Sequence, residues 1–528
     1  MRFRIPFIYA LALCLAVPAA GQGTVRDFQY RQDLNPLLGF GNAAGLASLG
    51  DEGFSAASAS FSKENGALIP LEGSPDCWTA GAQTRSFRRV SDKLVFSGAL
   101  SYSQFQGKGV GGQILMNPGN NPINFLEENQ STVGRKKKET YSLSGGLSWS
   151  FNEKLSAGIQ IDYTAADQAK FKDPRFLNTR MDIDLAPGVM YKFSDAFSLG
   201  GNLVYKHSIE QLSAGNFGTV DKTYYILVDQ GAFLGSREEF NGDIGYVSLD
   251  NIRPLADDSY GLSLQVITGS RARFYGKLSG LWRTGYYGSR TSTSVVFCEF
   301  KGPEAGLEGI LDLNSGVNLH RISLAGGMKM LTNYTNSYTH KHTAGMNTVV
   351  EYHGQNRTVD KNSFAGTLAY SFFKDIRGFR PDWLFGARAD AGFKSISTVI
   401  YPDYRDQSFV QTAFALDAER NIKRQKDCFT LKVSTRFATG FGNAKTDGSY
   451  SGGSSKAKSF DDWLNRQFEF DTAPRAGVSL DLAWTVLRYN KLAPYIKLSE
   501  SFDSLLSEPQ YLDGKTRNLA AITLGCNF

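Results

Sequence analysis

The chain has 528 residues, with 57 Lys and Arg against 51 Asp and Glu, a formal net charge of +6. That excess is too small over such a length to argue for a nucleic-acid partner. A mean hydropathy of -0.27 with 20% charged residues excludes a bundle of membrane helices.

The N-terminus carries an export address. Arg2 and Arg4 precede the apolar run Ile8 to Val17, and Ala19 and Gly21 supply the small residues of a cleavage site. Residues 1–21 therefore read as a cleaved signal peptide. Cys14 does not make a lipobox, because it lies inside the apolar run and follows Leu13 where a small residue is required. Residues 22–50 include Asn35-Pro-Leu-Leu-Gly-Phe-Gly-Asn-Ala-Ala-Gly-Leu46 and lack sustained alternation. They read either as a periplasmic lead-in or as a plug folded into a lumen.

Residues 51–528 read as one domain of alternating strands. The spacing predicts strands near 52–63, 76–88, 94–105, 139–151, 155–165, 181–193, 197–207, 222–234, 242–250 and 258–268. It predicts others near 272–286, 292–300, 319–332, 362–373, 383–396, 408–420, 427–438, 474–487, 493–502 and 517–528. In 155–165, Leu155, Ala157, Ile159, Ile161 and Tyr163 share one face, and Ser156, Gly158, Gln160, Asp162 and Thr164 share the other. This period of two marks a strand with one apolar and one wet face.

Three of these strands repeat one pattern. Each follows an acidic turn and reaches a tyrosine eight residues after its first apolar residue: Leu94 to Tyr102, Leu155 to Tyr163, Phe197 to Tyr205. Eight residues at about 3.3 Å each cover roughly 26 Å. A tilted strand of that length spans the apolar band of an outer membrane, with aromatics at its boundaries. Tyr102, Tyr163 and Tyr205, with Trp149, Trp383 and Trp484 beside short turns, form the expected aromatic girdle.

Short turns near 90–94, 151–155, 193–197, 268–272 and 487–492 alternate with long polar connections at 106–138, 333–361 and 439–473. Bacterial barrels have short periplasmic turns and long external loops. The expected fold is all-β: a single-chain, antiparallel, up-and-down transmembrane barrel with an even strand number of 14 to 20, near 20. The chain stops on Phe528, and Ala520, Ile522, Leu524 and Cys526 alternate ahead of it. A terminal strand ending on an aromatic resembles the signal read by the barrel-assembly machinery, which makes that machinery an expected partner during biogenesis.

Several segments carry a family likeness. They are Asn35-Pro-Leu-Leu-Gly through Asn42-Ala-Ala-Gly-Leu46, Phe61-Ser-Lys-Glu-Asn-Gly66, Asp92-Lys-Leu-Val-Phe-Ser-Gly, Gly107-Lys-Gly-Val-Gly-Gly112 with Asn117-Pro, Lys138-Glu-Thr-Tyr141, Asp182-Ile-Asp184 with Pro187-Gly-Val, and Gly218-Thr-Val-Asp-Lys-Thr-Tyr224. Together they resemble a Bacteroidota outer-membrane β-barrel family known only as a domain of unknown function. The resemblance covers the first half of the chain. It implies the barrel and its location in the bacterial outer membrane, and hints at other outer-membrane uptake components as partners. It implies no substrate.

Charged residues that alternate with apolar ones are expected to face the lumen: Asp162, Asp182, Asp184, Lys192, Lys206, Lys277, Arg388, Asp390, Lys432, Arg436, Asp481 and Lys497. Any barrel fills its interior with polar groups, and both signs are present, so strong ion selectivity does not follow. Arg135-Lys-Lys-Lys138 ends a long connection at a strand start, where four cations could meet lipopolysaccharide phosphates. His340 and His342, with His353 nearby, are a weak handle for a metal or haem iron. Cys77, Cys298, Cys428 and Cys526 have no metal-ligand spacing and read as structural thiols.

No nucleophile elbow and no His-Glu zinc motif is present, and no cofactor signature is read. The expected role is therefore not enzymatic. It is a channel or transporter for a small solute, selecting by lumen charge and infolded loops, with lipid and lipopolysaccharide around it. Two alternatives remain: a non-conducting accessory barrel of an uptake or assembly complex, and a loop-mediated binder of haem, metal or a surface partner.

Overall fold

The computed structural model describes residues 27–528, apart from 40, 51–52, 117–118, 120, 129, 216–222, 241–252, 292–293, 343–347, 377–379 and 490–491. The expected signal peptide and the strand expected at 242–250 lie outside the described residues. In chain order the strands are β1 (Phe54–Asn65), β2 (Asp76–Ser91), β3 (Leu94–Val110), β4 (Asn124–Glu127), β5 (Gly134–Ser150), β6 (Leu155–Lys170), β7 (Arg175–Ser194), β8 (Phe197–Gly215), β9 (Tyr225–Asp229), β10 (Leu234–Glu239) and β11 (Arg253–Thr268). They continue with β12 (Ala272–Gly288), β13 (Val296–Ser315), β14 (Asn318–Lys341), β15 (Val349–Lys374), β16 (Trp383–Ile400), β17 (Asp403–Lys423), β18 (Asp427–Ser449), β19 (Lys458–Ser459), β20 (Arg475–Val486), β21 (Ala493–Leu505) and β22 (Thr516–Asn527).

Eighteen of these strands form one antiparallel sheet, and β1 pairs with both β2 and β22, so the sheet closes into a barrel. Closure removes the exposed edges of an open sheet. The last residue takes part: Phe528 donates its N–H to the Ser55 carbonyl at 2.9 Å and accepts from Ser55 at 2.7 Å.

Alternation sorts the side chains as its period requires. Leu143, Leu203, Leu262, Leu264, Leu278, Leu324, Leu368 and Leu524 are all exposed on the outside. Tyr102 packs on Tyr141 at 4.9 Å and Tyr205 on Tyr260 at 5.2 Å, toward the long-loop end. Trp149, Trp383 and Trp484 stand at the short-turn ends of their strands, Trp383 stacked on Phe385 at 5.5 Å and Trp484 on Phe429 at 6.4 Å. Tyr163 lies opposite Leu143 in the sheet.

Short turns are held locally. The Asn152 carboxamide accepts from the N–H groups of Lys154 and Leu155, both at 2.8 Å, which is an Asx-type turn. Gly269 has φ +96°, and a Cβ there would sit 1.8 Å from the Ala272 carbonyl, so the β11–β12 turn requires glycine.

Four expectations need correction. The strand expected at 222–234 is not wall: β9 pairs with β10 and β4, and β10 with β19, in a separate four-stranded sheet. Buried apolar residues form strands wherever they find a partner edge, and periodicity does not say which edge. The connection expected at 333–361 is mostly strand, because β14 and β15 run 24 and 26 residues and pair as far as Lys341 with Val349. The connection at 439–473 holds the end of β18 and a helix, Asp461–Thr472. The basic run 135–138 is divided by the strand it begins: Lys136 is buried, donating to the carbonyls of Gly111 at 2.8 Å and Gln113 at 2.6 Å, whereas Arg135 lies over the Phe171 ring. It is not a rim of four cations.

Candidate functional site

The lumen is obstructed at both ends by the chain itself. At the short-turn end, the described residues of 27–49 fold inside the wall as a helix, Phe28–Asp33, and two 3-10 turns, Pro36–Leu38 and Ala43–Ser48. Asp27 caps the helix by accepting from Tyr30 at 3.0 Å. Asn42 caps the last turn through Ala44 and donates to the Val189 carbonyl at 3.2 Å and to Gln265 at 2.9 Å. The Ala44 carbonyl accepts from Ser148 at 3.2 Å and Ser156 at 3.0 Å. Gly158 makes room for this approach, since a Cβ there would sit 2.5 Å from the Ala44 nitrogen. Arg321 donates to the Asp33 carbonyl at 2.6 Å, Arg380 pairs with Asp27, and Arg89 donates to the carbonyls of Ala47 and Leu49. Burial pushes the Asp33 carboxyl above its ordinary range.

At the long-loop end, the β4–β9–β10–β19 sheet reaches across the lumen. On one side Phe125, Ile226, Val228 and Phe240 pack on Phe176, Leu212, Leu255, Tyr287 and Phe300 of the wall. On the other side the helix Asp461–Thr472 packs Phe468 on Phe409 at 5.8 Å, and Gln411 donates to the Asp471 carbonyl at 3.0 Å. Arg405 ties the parts together: fully buried, it pairs with Asp447 at 2.6 Å and Asp461 at 3.2 Å and donates to the carbonyls of Ala232 and Phe233 at 3.3 Å. Burial in this sheet pushes the Asp229 carboxyl upward.

Of the cavities among the described residues, three lie inside the wall beneath the outer sheet. One of about 400 Å³, beneath the outer sheet, is lined by Asp162, Arg180, Asp182, Asp184, Lys206 and Arg283 among others. A second, also about 400 Å³, lies against residues 32–46 and includes Asp162 and Arg85. A third of about 600 Å³ lies between Asp27–Asp33 and the strands from β16 to β22, and includes Arg85, Lys432, Asp481 and Lys497. Asp162 lines the first and second, and Arg85 the second and third. The three therefore adjoin in series.

The charged residues named from sequence take these positions. Asp182 pairs with Arg180 at 3.0 Å, Asp184 with Lys206 at 2.5 Å, Lys277 with Glu308 at 3.0 Å, Arg388 with Asp390 at 2.8 Å, and Asp481 with Lys497 at 3.1 Å. Asp162 accepts from Ser144 and from Gln160 at 3.1 Å, with no cation among the described residues in ion-pair contact. Lys432 lines the third cavity, and Arg436 is close enough to Asp390 to act on its charge. Lys192 is apart from the rest: it pairs with Asp195 at 2.6 Å in the β7–β8 turn.

His340 and His342 stand exposed near the tip of the β14–β15 hairpin, His342 bonded to Thr348 at 2.8 Å. Among the described residues no group of three or more His, Cys, Asp or Glu is placed to hold a metal. Cys77, Cys298, Cys428 and Cys526 are free thiols. His207 has an unanticipated partner, Asp258 at 2.9 Å, which also accepts from Tyr205 at 2.8 Å. Sequence reasoning also missed Arg85, Arg321, Arg380 and Arg405. Arg85 stands between Thr84 and Ser86, Arg380 precedes Pro381 and Arg405 precedes Asp406, so clean alternation with apolar residues does not mark them, and nothing local says what each will meet across the lumen.

The chain belongs to the family of unknown function DUF6850, whose model matches residues 43–528. No curated protein matches it. Solved structures to which the chain is similar include the ferric preacinetobactin receptor BauA from Acinetobacter baumannii, at 9% identity and TM-score 0.37, covering 90% of this chain and 80% of that one. The outer membrane transporter YddB from Escherichia coli is 9% identical with TM-score 0.39, covering 89% and 80%. The RagAB peptide importer is 7% identical with TM-score 0.36, covering 90% and 87%.

Proposed function

We propose that this DUF6850 member is an outer-membrane barrel that passes a small polar solute through a lumen its own chain obstructs. The membrane reading is supported by the exposed leucines, flanked by tyrosines at one end and tryptophans at the other. Water would not tolerate so continuous an apolar exterior on a soluble monomer, and a barrel wall in lipid requires it. In this reading lipid and lipopolysaccharide cover the belt, and the strand ending at Phe528 is what the assembly machinery would take up.

The observation that carries the transport reading is the series of three cavities joined through Asp162 and Arg85. In this reading they mark out a polar path down the lumen, past one flank of the N-terminal segment. The lumen's work is passage, not catalysis. Ion pairs on the wall select by charge and size, and displacement of the N-terminal segment widens the path.

Single-channel conductance of the purified, reconstituted protein tests this, with and without residues 22–50. The intact chain is expected to be nearly silent, and the deletion to conduct steadily. Silence in both forms would overturn the passage reading in favour of an accessory barrel.

A further inference from the structure

We infer that the cavity between the N-terminal segment and strands β2, β3, β5 and β6 is a binding site for a small zwitterion, a solute with a free ammonium and a free carboxylate. As a substrate class, this rests on the transport reading above, but binding is measurable without passage.

The argument begins with the lining. Among the described residues, two charged side chains line this cavity: Arg85 and Asp162. They have opposite sign, and neither is in an ion pair. Asp162 is bonded to neutral groups, Ser144 and Gln160. Arg85 makes no hydrogen bond or ion pair with a described residue. The cavity above differs: there Arg180, Lys206 and Arg283 are each held by a carboxylate, Arg283 by Asp257 at 2.7 Å.

A second observation comes from the opposite wall. Gln32, on the N-terminal segment, also lines the cavity, and its Oε1 is buried without a hydrogen-bond partner. An orphaned buried acceptor costs free energy until something donates to it. An ammonium has three N–H donors. Held by Asp162, it has donors left for a further acceptor, and Gln32 is the unsatisfied one among the residues lining this cavity. At the other end Arg85 offers a planar fork that matches a carboxylate in a bidentate way. The space, about 400 Å³, is within the range of small-molecule sites.

One wall of the site belongs to the N-terminal segment and the other to the barrel. Occupancy thus bears on the element that obstructs the path.

The test is calorimetric titration of the full chain in detergent with L-alanyl-L-alanine, its N-acetyl form and its C-terminal amide. The zwitterion is expected to bind roughly tenfold or more tightly than either blocked form. Arg85→Gln should abolish the preference over the amide, and Asp162→Asn the preference over the N-acetyl form. Gln32→Leu should weaken binding less. Heat-modifiable mobility on gels checks that each variant is folded. Equal affinity for all three probes, or no binding of any by folded wild type, would overturn the inference. Selective binding without conductance in any form would keep this site and sink the passage reading. Conductance of the deletion form without selective binding would do the reverse.

Discussion

At the long-loop end the infolded chain meets the wall through a packed apolar core, with Phe125, Ile226 and Phe240 fully buried. At the short-turn end residues 27–49 have smaller apolar contacts, Phe28, Leu46 and Leu49 against Phe54, Phe87 and Val95 and Leu37 and Ala44 against Met190 and Tyr275, and rely more on polar bonds from Asn42, Asp27 and the Ala44 carbonyl. The difference bears on which end can move. Exposing apolar surface costs about 25 cal/mol per Å² with nothing returned. A wall hydrogen bond exchanged for one to water costs a net of only about 0.5–1.5 kcal/mol. The N-terminal segment is therefore the end suited to displacement, and the outer sheet the end suited to stay.

The strongest way to break that contrast is Phe125→Ala. Its ring is fully buried and packs on Tyr287 at 5.2 Å, so truncation should destabilise the outer sheet by about 3–5 kcal/mol. Hydrogen exchange over β4 and β9 should accelerate, while exchange in the N-terminal segment stays unchanged. Equal acceleration at both ends would show that the two obstructions are one cooperative unit.

A smaller effect is expected from Gly158→Ala. Its Cβ would sit 2.5 Å from the Ala44 nitrogen and 2.6 Å from the Ala43 carbonyl carbon, a clash of backbone costing about 1–3 kcal/mol. Conductance of the intact chain should rise toward that of the deletion form. Smaller still is Asn42→Ala, which takes from Gln265 Oε1 its donor while Gln265 Nε2 still donates to Asn202 and Ser263. About 1 kcal/mol is expected, read as more frequent brief openings with the same open-state current.

The smallest effect is pH dependence of the outer sheet. Burial raises the Asp229 carboxyl above its unfolded value, so the folded state holds this proton more tightly than the unfolded one. The stability it contributes is full below the unfolded pKa and is lost as pH rises through the folded one. Exchange over β9 and β10 should therefore be slower in mild acid than at neutrality, after correction for the intrinsic rate. Asp229→Asn should flatten that dependence, and an unchanged slope would point to other groups.

Much of the wall was legible in the residues. Strands such as 155–165 and 197–207 declare themselves because an apolar exterior on one face and a polar lumen on the other impose a period of two. The turn before Leu155 declares itself through Asn152. Of the twenty expected strands eighteen are wall: 222–234 satisfies the strand pattern yet pairs within the lumen, and 242–250 lies outside the described residues. Local periodicity carries the preference for extended chain but not the identity of the neighbour.

The candidate site was legible in part. Asp162, Asp184 and Lys206 were named from alternation alone, and they line one cavity. Arg85 and Gln32 were not named. Their interest depends on meeting across the lumen from positions 53 residues apart in the chain, one on a strand and one on a helix.

What the amino-acid order determined by itself is thus the set of short-range preferences: which residues extend, which face each takes, where the chain turns, and that Phe528 ends a strand. Only the closed tertiary structure decided that residues 27–49 lie inside the wall, that loop strands bridge the lumen, and that Arg85 and Asp162 share a cavity without pairing. The reason is physical. Face and turn are set by neighbours within a few residues, whereas a lumen exists only after the last strand has closed on the first.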